Sequence, residues 1–209
     1  MHAATATGAR CWRCEAALPD GLVCRACEAV QPVAPDADLF AVLGLPRDLA
    51  VDAAALEARY HDVARAIHPD RHQTAGARER ELSLAASAAA NRAYRTLRDP
   101  VARARYWLEL HGTPLAADNN RVPPALAATV FEVQERLEEL RAVGPDDAAA
   151  LRADVTRLRG ELAGRLQALA DGLVAAGRES LAALKTRVSE IAYLTTLLRD
   201  VDRALGGSA

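Results

Sequence analysis

Four cysteines near the start of the chain have the residue type and the spacing of a metal site. They form two Cys-x-x-Cys pairs, Cys11 with Cys14 and Cys24 with Cys27, separated by nine residues. Each pair can direct two thiolates at one ion, and four thiolates together suit tetrahedral zinc. A segment this short cannot build a hydrophobic core, so bound metal would supply its folding energy. We therefore predict a structural zinc site here, with a structural or docking role.

Other uses of these thiols compete with zinc. Iron–sulfur ligation and redox chemistry need the same thiolates, so the spacing leaves both open. Two disulfides are disfavoured, because residues 1–10 contain no apolar stretch resembling a secretion signal and disulfides are rare inside cells. DNA binding would need more basic residues than this segment has.

The tripeptide His68-Pro69-Asp70 is the second candidate site. His68 has no paired nucleophile nearby in the sequence, and Asp70 has neither a partner carboxylate nor a glycine-rich phosphate cradle. Because proline stiffens the loop, the imidazole and the carboxylate are presented at a lower ordering cost. The tripeptide is therefore predicted to bind a partner rather than to catalyse a reaction.

Two amphipathic helices must position this tripeptide. The first is capped by Asp52 and has four apolar residues on one face: Leu56, Tyr60, Val63 and Ile67. It must end near His68, because Pro69 disfavours helical geometry in the residue before it. The second helix is predicted over residues 77–98. Asp99-Pro100 then supplies an N-cap and a first-turn proline for another helix.

Composition and periodicity favour an all-α protein. The 209 residues include 48 alanines and 28 leucines but only 8 aromatic residues, which nearly excludes a β-sandwich or a barrel. Apolar residues recur every three or four positions in three segments after residue 121, which predicts a three-helix bundle. Gly160, Gly164 and Gly172 in the middle segment would allow close helix approach or mark a bend. No apolar run approaches the roughly 20 residues that cross a bilayer, and a net charge of −2 argues against a broad nucleic-acid surface.

The region around the tripeptide resembles the J domain of DnaJ-type co-chaperones. Tyr60 precedes His68 by eight residues as in that family, the run from Asn91 to Pro100 matches the end of its third helix, and the run from Leu39 to Leu45 matches its opening. The resemblance implies a protein that is not an enzyme and that speeds ATP hydrolysis by a DnaK/HscA-class chaperone. It assigns the chaperone contact to six residues: His68, Pro69, Asp70, Arg59, Arg65 and Arg71.

Charge gives this chaperone contact little support. J domains usually present a basic second helix, but here Glu57 and Asp62 offset Arg59 and Arg65. We therefore expect the contact to depend on the shape and chemistry of the tripeptide more than on a basic helix.

The chain after the third helix resembles HscB, the iron–sulfur co-chaperone. The run from Leu97 to Gly112 looks like the exit of its J domain, and a helical bundle follows in place of a Gly/Phe-rich stretch and β-rich substrate domains. Some HscB proteins also have an N-terminal tetracysteine module. The resemblance implies three parts: a cysteine module with its linker (1–37), a J domain (38–112) and a scaffold-binding bundle (121–206). It also implies a cytoplasmic protein with an IscU-type iron–sulfur scaffold protein as its client, and no nucleic-acid or membrane partner.

The first bundle helix carries the scaffold-binding face in that family, usually with a Phe-Leu-Met-Glu run. This chain has Leu126-Ala127-Ala128-Thr129 instead, which suggests a weaker or differently anchored interface. The resemblance assigns the scaffold contact to four residues: Phe131, Glu132, Glu135 and Tyr193. Two alternatives stay open, namely that Phe131 is a core residue and that the bundle recruits another client. A zinc-dependent redox or nucleic-acid-binding protein is a third class, which would need reactive thiols or a basic patch.

Overall fold

The computed structural model describes residues 10–18, 21–72, 76–115, 122–144, 148–175 and 180–206. These ranges contain seven α-helices: α1 (Leu39–Val42), α2 (Ala53–Ile67), α3 (Ala77–Arg98), α4 (Pro100–Leu110), α5 (Ala127–Ala142), α6 (Ala148–Ala175) and α7 (Leu181–Gly206). Short 3-10 helices cover Pro69–His72 and Pro124–Leu126. The described residues contain no β-strand, only two isolated β-bridges, and the predicted all-α fold is confirmed.

The chain divides into two compact units, and the boundary between Arg103 and Ala104 falls inside α4. In the first unit, α1 and α2 both pack against α3. The Asp52 carboxylate caps α2 by accepting the N–H of Ala54 at 2.9 Å, and α2 ends one residue before His68, as predicted. The apolar and small residues that these helices bury include Phe40, Leu43, Leu56, Ile67, Ala86, Ala90 and Leu97.

The start of α4 combines a standard cap with a buried charge. The Asp99 carboxylate accepts the N–H groups of Val101 and Ala102 at 2.8 and 3.0 Å. Arg103 is 4% exposed, and its guanidinium donates to the Leu97 carbonyl. Burial lowers the pKa of Arg103, and attraction by Asp99 acts in the opposite direction. The hydrogen bond from Arg103 to Leu97 connects α4 to the end of α3. Because burying a charged side chain costs free energy unless it is paired, this connection lowers the stability of the fold.

The second unit contains the predicted helices α5, α6 and α7, which pack as a bundle. Their common core consists of apolar residues at the predicted three- and four-residue steps: Leu126, Val130, Val133, Leu137, Val155, Leu162, Leu194, Leu197, Leu198 and Val201. The sequence predicts helix breaks at Gly144-Pro145 and near Gly177. Helix α5 ends at Ala142, just before the first break, while Pro145 and Gly177 themselves lie outside the described residues.

The three glycines of α6 differ in their surroundings. A Cβ on Gly172 would meet the guanidinium of Arg187 on α7, which is the mobile end of a long side chain, so close helix approach at this position stays a prediction. Open space surrounds Gly160 and Gly164, so close approach does not explain them. None of the described helices is long and apolar enough to cross a membrane.

Candidate functional sites

The two Cys-x-x-Cys pairs occupy the same local turn, which is repeated along the chain. The N–H of Cys11 donates to the carbonyl of Ala16 at 2.9 Å, and the N–H of Cys24 donates to that of Ala29 at 3.0 Å. A β-bridge closes each turn, between residues 10 and 17 and between residues 23 and 30. The sequence Cys-x-x-Cys-Glu-Ala occurs at both places. The spacing of the cysteines alone predicts a metal site, whereas the longer repeat also predicts that the two pairs share one backbone turn.

The glutamate after each pair explains the longer repeat. Glu15 and Glu28 have φ angles of 60° and 57°, in the left-handed region that non-glycine residues seldom adopt. This conformation reverses the chain directly after the second cysteine of each pair. The reversal lets the N–H of Glu15 donate to the carbonyl of Cys11 at 3.0 Å.

The sulfur atoms of the four cysteines lie together. Sγ of Cys11 and Sγ of Cys27 are 3.6 Å apart, and Sγ of Cys14 and Sγ of Cys24 are 3.8 Å apart. All four sulfurs lie within 4.8 Å of one another, and all four cysteines are free. Four ligands at about 2.3 Å from a tetrahedral zinc have sulfurs about 3.8 Å apart. The donor set therefore fits one metal ion, and the prediction that these cysteines could hold a metal is confirmed.

Gln31 lies behind the sulfurs and links the two turns. It is 4% exposed, and its Nε2 donates to Sγ of Cys11 at 3.3 Å and to the carbonyl of Ala29 at 2.7 Å. Backbone N–H groups add two further hydrogen bonds to sulfur, from Arg13 to Cys11 and from Ala26 to Cys24, both at 3.4 Å. Such donors stabilise thiolate, the form that binds metal. Gln31 follows the second cysteine pair at the start of a proline-containing stretch that is typical of a linker, and nothing in the sequence indicates its partner.

The thiols differ in acidity. Burial acts to raise the pKa of Cys11, but the N–H groups of Cys14 and Arg13 and contacts with neighbouring thiols outweigh it and lower the pKa to about 6. For Cys27 the N–H of Ala29 acts to lower the pKa, but burial and the other three thiols raise it to about 12. Because these thiols titrate together, the cluster loses its first proton more readily and its last proton less readily than a free cysteine does.

The cysteine module contacts α3. The guanidinium of Arg78 lies 4.4 Å from the centre of the Trp12 ring, which is a cation–π contact. Arg13 pairs with Glu79 at 3.5 Å, and the linker carbonyl at position 35 accepts a hydrogen bond from Arg92 at 2.8 Å. The module and its linker are therefore fastened to both halves of α3, which the sequence did not predict.

The His-Pro-Asp loop (His68, Pro69 and Asp70) presents its two polar side chains to solvent. The N–H of Asp70 donates to Nδ1 of His68 at 3.2 Å, and Oδ2 of Asp70 lies 3.6 Å from the same nitrogen. The two side chains are 56% and 72% exposed. A compact turn with an exposed imidazole beside an exposed carboxylate suits the predicted binding role.

Two of the three predicted arginines donate hydrogen bonds to backbone carbonyls of the first unit. Nε of Arg59 donates to the carbonyl of Leu43 at 3.2 Å, which ties α2 to the end of α1. Gly44 makes room for it, with φ +63° and only 2.5 Å between a built Cβ and the guanidinium. The guanidinium of Arg71 donates to the carbonyl of Arg65 at 3.4 Å, and Arg65 is exposed.

Tyr60, the tyrosine eight residues before His68, connects α2 and α3, the helical hairpin on either side of the His-Pro-Asp loop. Its hydroxyl donates to Oδ1 of Asn91 at 2.7 Å. Its ring stacks on that of Tyr94, with centroids 4.2 Å apart and planes 14° apart. These contacts give the tyrosine a structural role between α2 and α3.

The predicted scaffold residues lie in the second unit. Phe131 is 69% exposed on α5, so the interpretation of this residue as core is wrong. Glu132 and Glu135 on the same helix are exposed, as are Ala127 and Ala128. Tyr193 on α7 is half-buried and packs against the bundle core.

Known proteins match most of the chain. The DnaJ domain family model matches residues 38–106. The co-chaperone protein HscB homolog of Ralstonia nicotianae is 38% identical over 79% of this chain and 93% of its own length. The homolog of Bordetella petrii is 36% identical over 80% of this chain and 95% of its own length.

Solved structures agree on the fold. The crystal structure of human co-chaperone protein HscB matches with a TM-score of 0.70 and 24% identity, over 93% of this chain and 97% of that chain. Chaperone HscB from Vibrio cholerae matches with a TM-score of 0.51 and 26% identity, over 83% of this chain and 100% of that chain.

Proposed function

The chain belongs to the HscB family of co-chaperones, and on that premise we propose that it stimulates the ATPase of a DnaK/HscA-class chaperone and delivers an IscU-type iron–sulfur scaffold protein to it. It acts without an active site of its own, in the cytoplasm. We keep the proposed division into a cysteine module (1–37), a J domain (38–112) and a scaffold-binding bundle (121–206).

The exposed His-Pro-Asp loop is the observation that carries the chaperone half of this proposal. The imidazole and the carboxylate of this loop are more than half exposed, so a partner can reach them. Because Pro69 already limits the conformations of the loop, binding costs little conformational entropy. We assign the contact to this loop, extended by Arg65 and by the outer parts of Arg59 and Arg71.

The exposed face of α5 supports the scaffold half. Phe131 is 69% exposed, and an aromatic anchor of this kind contributes strongly to binding energy when a partner buries it. Glu132 and Glu135 flank it with negative charge, so a partner with an apolar pocket and a basic rim fits this face. We assign the scaffold contact to Phe131, Glu132, Glu135 and Tyr193.

We assign structural zinc to the cysteine module. Four thiols at tetrahedral distances and no carboxylate or histidine among the candidate ligands favour zinc or iron, and zinc is the usual ion of closed tetracysteine sites. Cys11, Cys14, Cys24 and Cys27 would hold it, and it would supply folding energy to a segment with a small core.

His68→Gln is the variant that tests the chaperone half. The amide keeps a polar side chain of similar reach but removes the imidazole, and we expect stimulation of the chaperone ATPase to be lost while scaffold affinity is unchanged. His111→Gln is the matched control, since His111 is exposed directly after α4, far along the chain from the loop and its arginines. Full stimulation by the His68 variant would contradict the proposal.

The double variant Phe131→Ala/Glu132→Ala tests the scaffold half. Loss of a buried aromatic anchor costs about 2 kcal/mol or more, so we expect an IscU-type scaffold to bind at least about 30-fold more weakly by calorimetry. The control is Glu161→Ala, an exposed acidic residue on α6. An unchanged dissociation constant would refute this site.

Another client is the second candidate, favoured by the exposed Ala127 and Ala128. These small side chains offer less apolar area than the larger residues usual in the family. If the unmodified protein stimulates the chaperone ATPase but does not bind an IscU-type scaffold, the bundle recruits a different protein.

A further inference from the structure

The start of the His-Pro-Asp loop removes the helical donors of the last carbonyls of α2, among them those of Arg65 and Ile67. In a continuing helix, the carbonyl of Arg65 would accept the N–H of residue 69, and that of Ile67 would accept the N–H of residue 71. Pro69 has no N–H. The N–H of Arg71 donates instead to the carbonyl of His68 at 3.0 Å. Both carbonyls therefore need donors from elsewhere.

Side chains supply both donors, in different surroundings. The guanidinium of Arg71 reaches the carbonyl of Arg65 at 3.4 Å in an exposed position, where water can take its place. The hydroxyl of Ser83 on α3 donates to the carbonyl of Ile67 at 2.6 Å. Ser83 and Ile67 are both 0% exposed, so water does not reach this bond from the surface.

We propose that Ser83 is a positioning residue for the His-Pro-Asp loop. Its hydroxyl fixes the last carbonyl of α2, and the peptide group that contains this carbonyl also contains the N–H of His68. The bond thereby sets the direction in which His68 leaves the helix. Ser83 touches no partner itself, and its effect on the chaperone rests on the function proposed above.

Burial makes this bond more important than its strength in water would suggest. A buried carbonyl without a donor keeps its full desolvation cost, whereas a solvated one recovers hydrogen bonds to water. Without the hydroxyl, the closed loop loses stability relative to open forms in which water reaches the carbonyl of Ile67. The exposed bond from Arg71 does not carry this penalty.

Ser83→Ala tests the proposal, with Ser87→Ala as the matched control. Ser87 is half-buried and lies one turn further along α3, and its substitution removes the same oxygen from the same helix. For Ser83→Ala we expect the amide hydrogen of Arg71 to exchange about tenfold faster, equivalent to about 1.4 kcal/mol. We expect the concentration for half-maximal ATPase stimulation to rise by a similar factor. The control should leave both quantities within about twofold.

A second comparison separates positioning from general stability. Leu97→Val removes one buried methylene group at the far end of α3, so it destabilises the helices without contacting the loop. If Leu97→Val lowers stimulation as much as Ser83→Ala at equal thermal stability, Ser83 is merely structural and the proposal is overturned.

Two further outcomes are decisive. Ser83→Cys keeps a similar volume and a weak donor. It should change the Arg71 amide exchange and the concentration for half-maximal stimulation in the same direction as Ser83→Ala, but by less. It is the variant to measure if Ser83→Ala does not fold. Unchanged exchange at Arg71 in a folded Ser83 variant overturns the proposal. If the unmodified protein fails to stimulate the chaperone, the proposed function falls, while the exchange of Arg71 still decides whether Ser83 positions the loop.

Discussion

The cysteine module and the hairpin of α2 and α3 both hold a short turn, but by different means. The core of the module is small and consists of Cys11, Cys24 and Ala29, so the thiols themselves form much of it. The hairpin has packed helices on both sides of the His-Pro-Asp loop and fully buried leucine, isoleucine and phenylalanine side chains. From this comparison we expect the module to depend on a bound ion for its fold and the hairpin to depend on apolar burial.

Metal removal should break this comparison most strongly. Binding of structural zinc supplies apparent free energies of about 10 to 16 kcal/mol in small domains, so stripping the metal or introducing Cys24→Ser should unfold the module. The helical circular dichroism signal should change little, because no described α-helix precedes Leu39. Metal analysis with circular dichroism checks both points. Retained zinc in the variant, or collapse of the helical signal, would contradict this prediction.

Phe40→Ala should act on the other side of the comparison. Phe40 is 0% exposed, and its truncation should lower the free energy of unfolding of the helical part by about 3 to 5 kcal/mol. We expect the zinc content to stay the same in conditions where the variant is folded. Thermal denaturation with metal analysis tests this, and a parallel loss of zinc would mean that the two parts fold as one.

Gln31→Ala should weaken the module without abolishing it. The variant loses the donor to Sγ of Cys11 and a link between the two turns, and loss of a group behind a metal ligand costs about 10- to 100-fold in affinity. Competition with a chromophoric chelator measures this change. Gln134→Ala is a suitable control for the substitution itself, since Gln134 is exposed on α5. An unchanged metal affinity would show that Gln31 is dispensable.

Tyr60→Phe should have the smallest effect. It removes the hydrogen bond to Asn91 and keeps the stack on Tyr94. Because the bond is exposed, we expect a loss of about 0.5 to 1 kcal/mol in stability by urea denaturation. Asn91→Ala should cost about the same, and the double variant no more than either. Additive losses would show that the two groups do not act together.

The elements that could be predicted from the sequence are those fixed by local chemistry. Asp52, Pro69 and Asp99 set helix ends through groups within a few residues of themselves, and the structure has those ends as expected. The cysteine cluster was predictable for a similar reason, because one ion gathers all four thiols. Long-range polar partners were not, because the hydroxyl of Ser83 or the amide of Gln31 has many possible acceptors until the chain has folded.

Helical periodicity decides whether Phe131 lies in the core or on the surface. The buried positions of α5 are Val130, Val133 and Leu137. A residue directly after Val130 is rotated by about 100° from it around the helix, and Phe131 therefore lies off the buried stripe. Hydrophobicity alone leaves a core position open as the alternative to a surface contact, whereas the phase of Phe131 relative to its neighbours indicates the surface. The same test applied to Leu84, which follows the buried Ser83 and is 61% exposed, gives the same result.

The repeated turns of the cysteine module also bear on how fast a bound ion can leave. Each turn closes with its own backbone hydrogen bonds, so one pair of thiolates can release while the other keeps its shape. The linking chain is short, and the released pair stays near the ion at an effective concentration of the order of millimolar or more. Escape therefore requires both pairs to release together, and a competing ligand shortens the residence time by occupying one pair first. Cys14 is the exposed thiol at which such exchange would begin.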